Sequence, residues 1–400
     1  MPEAEIDIDS IAAGGDGVGR MNGLVAFVPR TAPGDRARIR YASGGRFTRG
    51  EVLRLLRESP TRTPPPCPHY GADRCGGCQL QHLEYAAQLA AKSRIVQDAF
   101  ARIGRREIPL PEVTPSPAEW RYRSKLTLAM RRRGDHWIAG LHPYDDATSV
   151  FSLTDCPITA ESVIAVWRQI LSRSSLLPFA TELRGAVHGN AFTLEGGSRW
   201  DNSAEFFAAV PALSELWWAP EDGVRRLLHT RTTEALGLSF AQINTALASS
   251  LHAYVVDRVW SFAPSSVIDA YSGRGATALA LAARGARVTA IESDSNAASW
   301  VADRLPADSR SIAGRVEDHL AAALPANLVI LNPPRAGVDA KVTDMLTSPE
   351  GPRAIIYVSC DPATLARDVA RLADYRIAAV RAFDMFPQTA HVETVVELTR

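Results

Sequence analysis

From Ile6 to about Arg57, short β-branched runs are separated by glycine-rich turns at Ala12–Gly19, Pro33-Gly34-Asp35 and Ser43-Gly44-Gly45. That pattern predicts a small β-barrel of roughly five strands. A polar, proline-rich linker, Glu58 to Pro66, follows and ends in three consecutive prolines. Leu83 to Ile103 then reads as a helix, with Leu83, Ala87, Ile95, Ala99 and Phe100 on one side. Trp120 to about Thr193 is mixed, strands first, with a helix near Ala160–Leu171. Around Pro264 the texture changes. Ser266–Ala270 is a short apolar strand, Gly273 and Gly275 form a turn, and an alanine-rich helix runs to Arg284. Arg287–Ile291 is the next strand and stops at Glu292; later strands are Leu328–Leu331 and Ala354–Ser359. Strand, glycine turn, helix, strand and acid in that order signal a doubly wound α/β sheet.

At 400 residues the chain is too long for one ordinary core. It divides into 1–57, a barrel; 58–235, a mixed α+β central domain; and 236–400, an α/β domain. No apolar run approaches the ~18 residues of a membrane span. The acidic start, Met1 to Asp9, lacks the basic opening of a signal peptide. Both features point to the cytoplasm, and a monomer is the default expectation. The formal net charge is zero, so bulk charge does not favour nucleic acid. Its distribution does. Between Arg20 and Arg57 the chain carries Arg30, Arg36, Arg38, Arg40, Arg46, Arg49 and Arg54 against only Asp35 and Glu51. Trp120 to Arg133 holds Arg121, Arg123, Lys125, Arg131, Arg132 and Arg133 with no acid. Two such runs in a neutral chain suggest a phosphate-binding surface.

The turn Tyr271-Ser272-Gly273-Arg274-Gly275-Ala276 lies at a strand's carboxyl end, where glycine lets backbone approach a ligand. Glu292, at the end of the next strand, is placed to accept hydrogen bonds from a ribose diol. The third glycine of the dinucleotide fingerprint is missing, since Thr277 and Ala278 follow. That favours S-adenosyl-L-methionine, which has no pyrophosphate to cradle, over NAD. Asn332-Pro333-Pro334-Arg335 ends a later strand and directs a polar side chain toward the same crevice. Cys360, in Ser359-Cys360-Asp361-Pro362, stands at a strand end beside a helix start whose dipole favours thiolate. Farther on, His391 and Glu393 alternate at strand period, which predicts that both point to one face. A thiol nucleophile with a carboxylate base is the pair that methylation at uracil C5 requires. Thiolate addition at C6 makes C5 nucleophilic, and a base then removes the C5 proton so that the thiolate can leave.

Over nearly its whole length the chain resembles the RNA 5-methyluridine methyltransferases that act on tRNA and 23S ribosomal RNA. Residues 1–57 resemble the TRAM RNA-binding barrel, an OB-like module, and Phe240-Ala241-Gln242-Ile243-Asn244 matches the family's F-x-Q-x-N motif. Asp269–Gly275, Asn332–Gly337, Ser359–Asp368 and Phe386–Glu393 resemble its cofactor, substrate, nucleophile and base motifs. The resemblance implies a class I, Rossmann-like methyltransferase sheet with Cys360 as nucleophile and Glu393 as base. It places Gln242, Tyr271, Gly273, Gly275, Ala276, Glu292 and Asn332 around S-adenosylmethionine, and makes tRNA or 23S rRNA the partner, its target base flipped out. Asn332 stands where the family usually carries aspartate. Two competing readings follow from that position: a catalytically silent RNA-binding protein on the same frame, or a methyltransferase for another RNA base.

Cys67, Cys75, Cys78 and Cys156 remain once Cys360 is set aside. Their spacing suits four thiolates around one centre, and by spacing alone zinc and an iron–sulfur cluster fit equally. The resemblance implies [4Fe-4S], with a structural or RNA-positioning role.

Overall fold

The computed structural model describes residues 1–21, 23–42, 45–134, 136–221, 223–232 and 242–400. Five strands close an N-terminal barrel: β1 (Glu3–Ile11), β2 (Gly17–Met21), β3 (Leu24–Val28), β4 (Arg36–Ala42) and β5 (Phe47–Arg57), in the order β1-β2-β3-β5-β4. Period-two alternation makes it: Ile6, Ile8, Val28, Ala37 and Ile39 point inward and fill the interior, while the intervening charged residues face water. Part of the turn expected at Ser43-Gly44-Gly45 lies outside the described residues, as do Phe240 and Ala241.

Two helices follow, the short α1 (Pro68–Gly71) and α2 (Tyr85–Ala99). The second starts two residues later than periodicity predicts and relaxes into a π-type turn, Phe100–Gly104. Strand β6 (Glu112–Thr114) comes next. A seven-stranded sheet then forms from β7 (Lys125–Arg133), β8 (His136–Leu141), β9 (Phe151–Ser152), β10 (Glu182–His188), β11 (Ala191–Glu195), β12 (Glu215–Ala219) and β13 (Arg226–Thr230). Helices α3 (Glu161–Ser172) and α4 (Ser203–Ala209) cover one face of it. Val163, Val166, Trp167 and Ile170 repeat at helical spacing and pack into that core with Met130, Phe192 and Phe206.

The C-terminal part alternates helix and strand: α5 (Thr245–Trp260), β14 (Ser266–Ala270), α6 (Ala276–Ala283), β15 (Arg287–Glu292), α7 (Ser295–Ala302), β16 (Arg310–Ala313), α8 (Val316–Ala323), β17 (Leu328–Leu331), α9 (Ala340–Thr347), β18 (Ala354–Ser359), α10 (Pro362–Arg371), β19 (Arg376–Phe383) and β20 (Glu393–Thr399). The sheet order is β16-β15-β14-β17-β18-β20-β19-β6. It is parallel up to β18 and antiparallel where β20 joins. Every residue of β17 and β18 is buried, as expected for strands covered by helices on both faces. From β14 the chain winds outward to β15 and β16, then crosses back to β17. Such a reversal opens a crevice at the strands' carboxyl ends. No helix among the described residues is long and apolar enough to cross a membrane.

Candidate active site

The crevice holds a cavity of about 620 Å³ at the end of β14. Gln242, Tyr271, Gly273, Ala276, Glu292 and Asn332 line it together. Gly275 does not; it precedes α6 with φ +67°, and a Cβ there would sit 2.6 Å from Val301 Cγ2. Its glycine serves close packing of the turn on α7 rather than contact with a ligand. Tyr271 also adopts a positive φ, 62°, a strained setting for a large side chain and one that recurs at ligand sites. Glu292 is held before any ligand arrives. Its Oε2 accepts from the Gly273 amide at 2.8 Å, and Oε1 accepts from the Asp294 amide at 2.9 Å.

Among the lining residues that escaped the sequence reading as site members are Asp269, His252 and Val358. Asp269 is 3% exposed, with Oδ2 lacking a hydrogen-bond partner. Burial pushes its carboxyl up to about 7; an amide bond from Ala278 opposes this and Glu292 adds to it. The signal was a carboxylate inside an otherwise apolar strand. His252 enters from α5, with a buried Nε2 that also lacks a partner. Val358, from β18, closes the floor.

Cys360 follows β18 directly, two residues beyond the cavity-lining Val358. The last register pair of β18 with β20 is Ser359 opposite Thr394. Continuing that register sets Cys360 against Glu393, and directly opposed residues in antiparallel strands lie about 4.5–5.5 Å apart at Cα. Nucleophile and base candidates, 33 positions apart in sequence, are therefore neighbours. Burial raises the Cys360 thiol pKa and the Glu393 charge raises it further, while Arg335, by charge and by hydrogen bond, lowers it. Burial likewise pushes Glu393 up to about 7, with Arg335 pulling it down. Arg335 thus stands at both groups, a placement its position after two prolines did not reveal. Asp361 caps α10 by accepting from the Thr364 amide at 2.9 Å, fixing the helix end beside the sulfur.

His391 lies in the loop ahead of β20 and is exposed, whereas Glu393, the strand's first residue, is 4% exposed. Burial and the nearby Arg335, which also acts on Glu393, lower the His391 pKa.

The remaining cysteines converge. Cys67, Cys75, Cys78 and Cys156 are free, buried and line one cavity of about 210 Å³. Burial, supplemented by mutual repulsion, pushes Cys75 up to about 11 and Cys78 up to about 12, against hydrogen bonds that lower them. Among the described residues, no group of three or more His, Cys, Asp or Glu is arranged to hold a metal ion.

Residues 306–400 match the tRNA (uracil-5-)-methyltransferase family. An uncharacterised RNA methyltransferase of Thermosynechococcus vestitus is 32% identical, the alignment covering 99% of this chain and 97% of that protein. The 23S rRNA (uracil(1939)-C(5))-methyltransferase of Chromohalobacter salexigens is 31% identical over 99% of this chain and 89% of its own length. The chain belongs to the RNA uracil-C5 methyltransferase family. Its architecture matches a solved member, the Pyrococcus abyssi tRNA (uracil-54, C5)-methyltransferase in complex with S-adenosyl-L-homocysteine. The TM-score is 0.67 at 23% identity, covering 98% of this chain and 100% of that one. For an RNA uracil-C5 methyltransferase, the 620 Å³ cavity and the Cys360–Glu393 pair lie side by side at the carboxyl edge of one sheet.

Proposed function

We propose that this chain methylates C5 of a uridine in tRNA or 23S rRNA through a covalent Cys360–C6 adduct, with Glu393 removing the C5 proton. The meeting of Cys360, Glu393 and Arg335 just past the Ser359–Thr394 pair carries the reading. S-adenosylmethionine, when bound in the neighbouring cavity, supplies an electrophilic methyl group. That cofactor is supported by the shared fold with a protein solved with its demethylated product, and by the Glu292 carboxylate already oriented at the rim. Cys360 adds to C6 and drives the ring electrons toward C5. Arg335 stabilises the thiolate before attack. Glu393 accepts the C5 proton, the C5–H electron pair restores the C5–C6 double bond, and the thiolate departs. A carboxyl held near 7 suits an acceptor that must be ionised yet still basic near neutral pH.

Cys67, Cys75, Cys78 and Cys156 would hold a [4Fe-4S] cluster. A single zinc draws four sulfurs to ~2.3 Å from one centre; a shared space of about 210 Å³ suits a bulkier group. Bound there, the cluster would cross-link α1, the Cys75–Cys78 hairpin and the Cys156 loop. An RNA substrate places the reaction in the cytoplasm, and one chain carries every residue of the proposed site, as a monomer needs.

RNA carrying 5-fluorouridine tests the reading. With S-adenosylmethionine it should form a covalent complex stable on a denaturing gel, because fluorine cannot leave as a proton does. Cys360→Ala should abolish that complex. Persistence of the complex in the variant, or its absence from the unchanged chain, would overturn the mechanism in favour of the silent-binder or other-base readings raised by Asn332.

A further inference from the structure

The loop that delivers Glu393, residues 386–392, bonds within itself only through Thr389, to Phe386 and His391, and its other hydrogen bonds come from elsewhere in the chain. Lys92, on α2, donates to the Phe386 carbonyl at 3.0 Å, and the Tyr122 hydroxyl donates to the Pro387 carbonyl at 3.0 Å. Gln388, with φ +69° and 1% exposure, is gripped on every polar atom of its backbone. Its carbonyl accepts from the amides of Gln79 at 3.1 Å and Leu80 at 2.9 Å. Its amide donates to Gln88 Oε1 at 2.9 Å, and Gln88 Nε2 donates back to Gln388 Oε1 at 2.9 Å. The Ala390 amide donates to Gln79 Oε1 at 3.3 Å. A left-handed conformation at a non-glycine residue persists only where its surroundings impose it. Here they do, and Gln388 lies five positions before the base.

Gln79 follows Cys78 directly, and its Nε2 donates to the Gly76 carbonyl at 2.8 Å, inside the Cys75–Cys78 hairpin. The same side chain thus bonds the cysteine hairpin with one end and the base loop with the other. The barrel closes the assembly from outside. Gly15 packs so tightly that a Cβ there would lie 2.4 Å from Gln79 Cβ and 3.2 Å from Ala390 Cβ. Ile11, Leu80, Leu83, Ala91 and Ala390 share one apolar cluster beneath it.

We propose that Gln79 and Gln88 are positioning residues for proton abstraction, and that through Gln79 the occupancy of the four-cysteine centre sets the placement of Glu393. The inference rests on the covalent reading above. It assigns the cysteine centre a selective effect: thiolate addition and methyl transfer do not use Glu393 and should proceed, while elimination should slow.

The test separates the two stages with Gln79→Met and Gln88→Met, which keep side-chain length and remove the polar contacts. On ordinary uridine RNA with methyl-labelled S-adenosylmethionine, each variant should accumulate methyl-labelled RNA–protein complex about tenfold or more above the unchanged chain, since a small misplacement of a reacting group is that costly. Complex formation on 5-fluorouridine RNA should stay within about twofold, because that stage does not need the base. Gln79→Glu keeps the acceptor facing Ala390 but loses the donor to the Gly76 carbonyl, so it should not restore the release rate; full restoration would sever the link to the cysteine hairpin. Should Gln88→Met fail to fold, the half-buried Gln79 variant decides. Equal loss of both stages, or release at the original rate, would overturn the proposal. In parallel, hydrogen exchange of residues 386–392 should quicken in Cys78→Ser; unchanged exchange would sever the link to the cysteine centre. If the unchanged chain forms no covalent complex, the chemistry has failed rather than the clamp, and the exchange measurement then decides the clamp alone.

Discussion

In the proposed reaction, a single carboxyl at Glu393 sets both the working pH and a stability penalty. Burial lifts it from an ordinary 4.5 to about 7, against the pull of Arg335. In a single turnover, release of methylated RNA from the covalent complex should therefore speed up between pH 6 and pH 8 with a limb near 7, as the base ionises; a flat profile would remove Glu393 from that step. Stability moves the other way. Between 4.5 and 7 the folded chain holds a proton that the unfolded chain has released, so stability falls as pH rises through that window. Above it, keeping the buried carboxylate costs up to about 3 kcal/mol. Glu393→Gln should thus be more stable than the unchanged chain at pH 8 and nearly equal to it at pH 4, by urea denaturation, while losing turnover. Arg335→Leu should raise the pKa of both neighbours and shift the activity limb to higher pH, measurable on the same profile.

At the scale of elements, what could be read along the sequence was what is local. The strand–turn–helix–strand run from Ser266 to Glu292 carries its own periodicity and glycines, and the barrel's alternation is complete within 57 residues. The cavity residues around Tyr271 followed from that run. Unreadable were the contacts made by register and by distance. Nothing local says that β20 inserts beside β18, which is what opposes Cys360 and Glu393. Nothing local says that Gln88 meets Gln388, three hundred positions away. The same holds for Lys92, a lysine on the helix's inner face that periodicity alone would place in water. Its side chain is fully buried and ion-paired with the equally buried Asp384. Lys92→Ala should leave that carboxylate uncompensated and lower stability by about 3–5 kcal/mol, whereas apolar replacement of both partners should be far milder. Equal losses in the single and double variants would contradict this account.

Across the whole molecule, the barrel is fastened rather than tethered. Asp35, fully buried, accepts from the amides of Ala32 and Ser59 and from Arg62 of the linker at 2.7 Å. Arg30 reaches the carbonyls of Tyr70 and Cys75, and His82 meets the Thr31 carbonyl. Much of the basic run is also spent internally. Arg36 pairs with Glu5, Arg40 with Glu3, Arg49 with Asp16 and Arg57 with Asp7. Arg38 and Arg54, exposed and opposite each other in the β4–β5 register, remain the better candidates for phosphate. Arg38→Ala or Arg54→Ala should weaken RNA binding and flatten the slope of log affinity against log salt by about one. An unaltered slope would move the contact elsewhere.

The position of β20 between β18 and β19 has a consequence for biosynthesis. Both flanking strands leave the ribosome before the strand that separates them, so the nascent sheet carries a gap in its interior until Glu393–Thr399 emerge. Cys360 is thus made before Glu393, and the two can be brought together only once β20 fills the gap between β18 and β19.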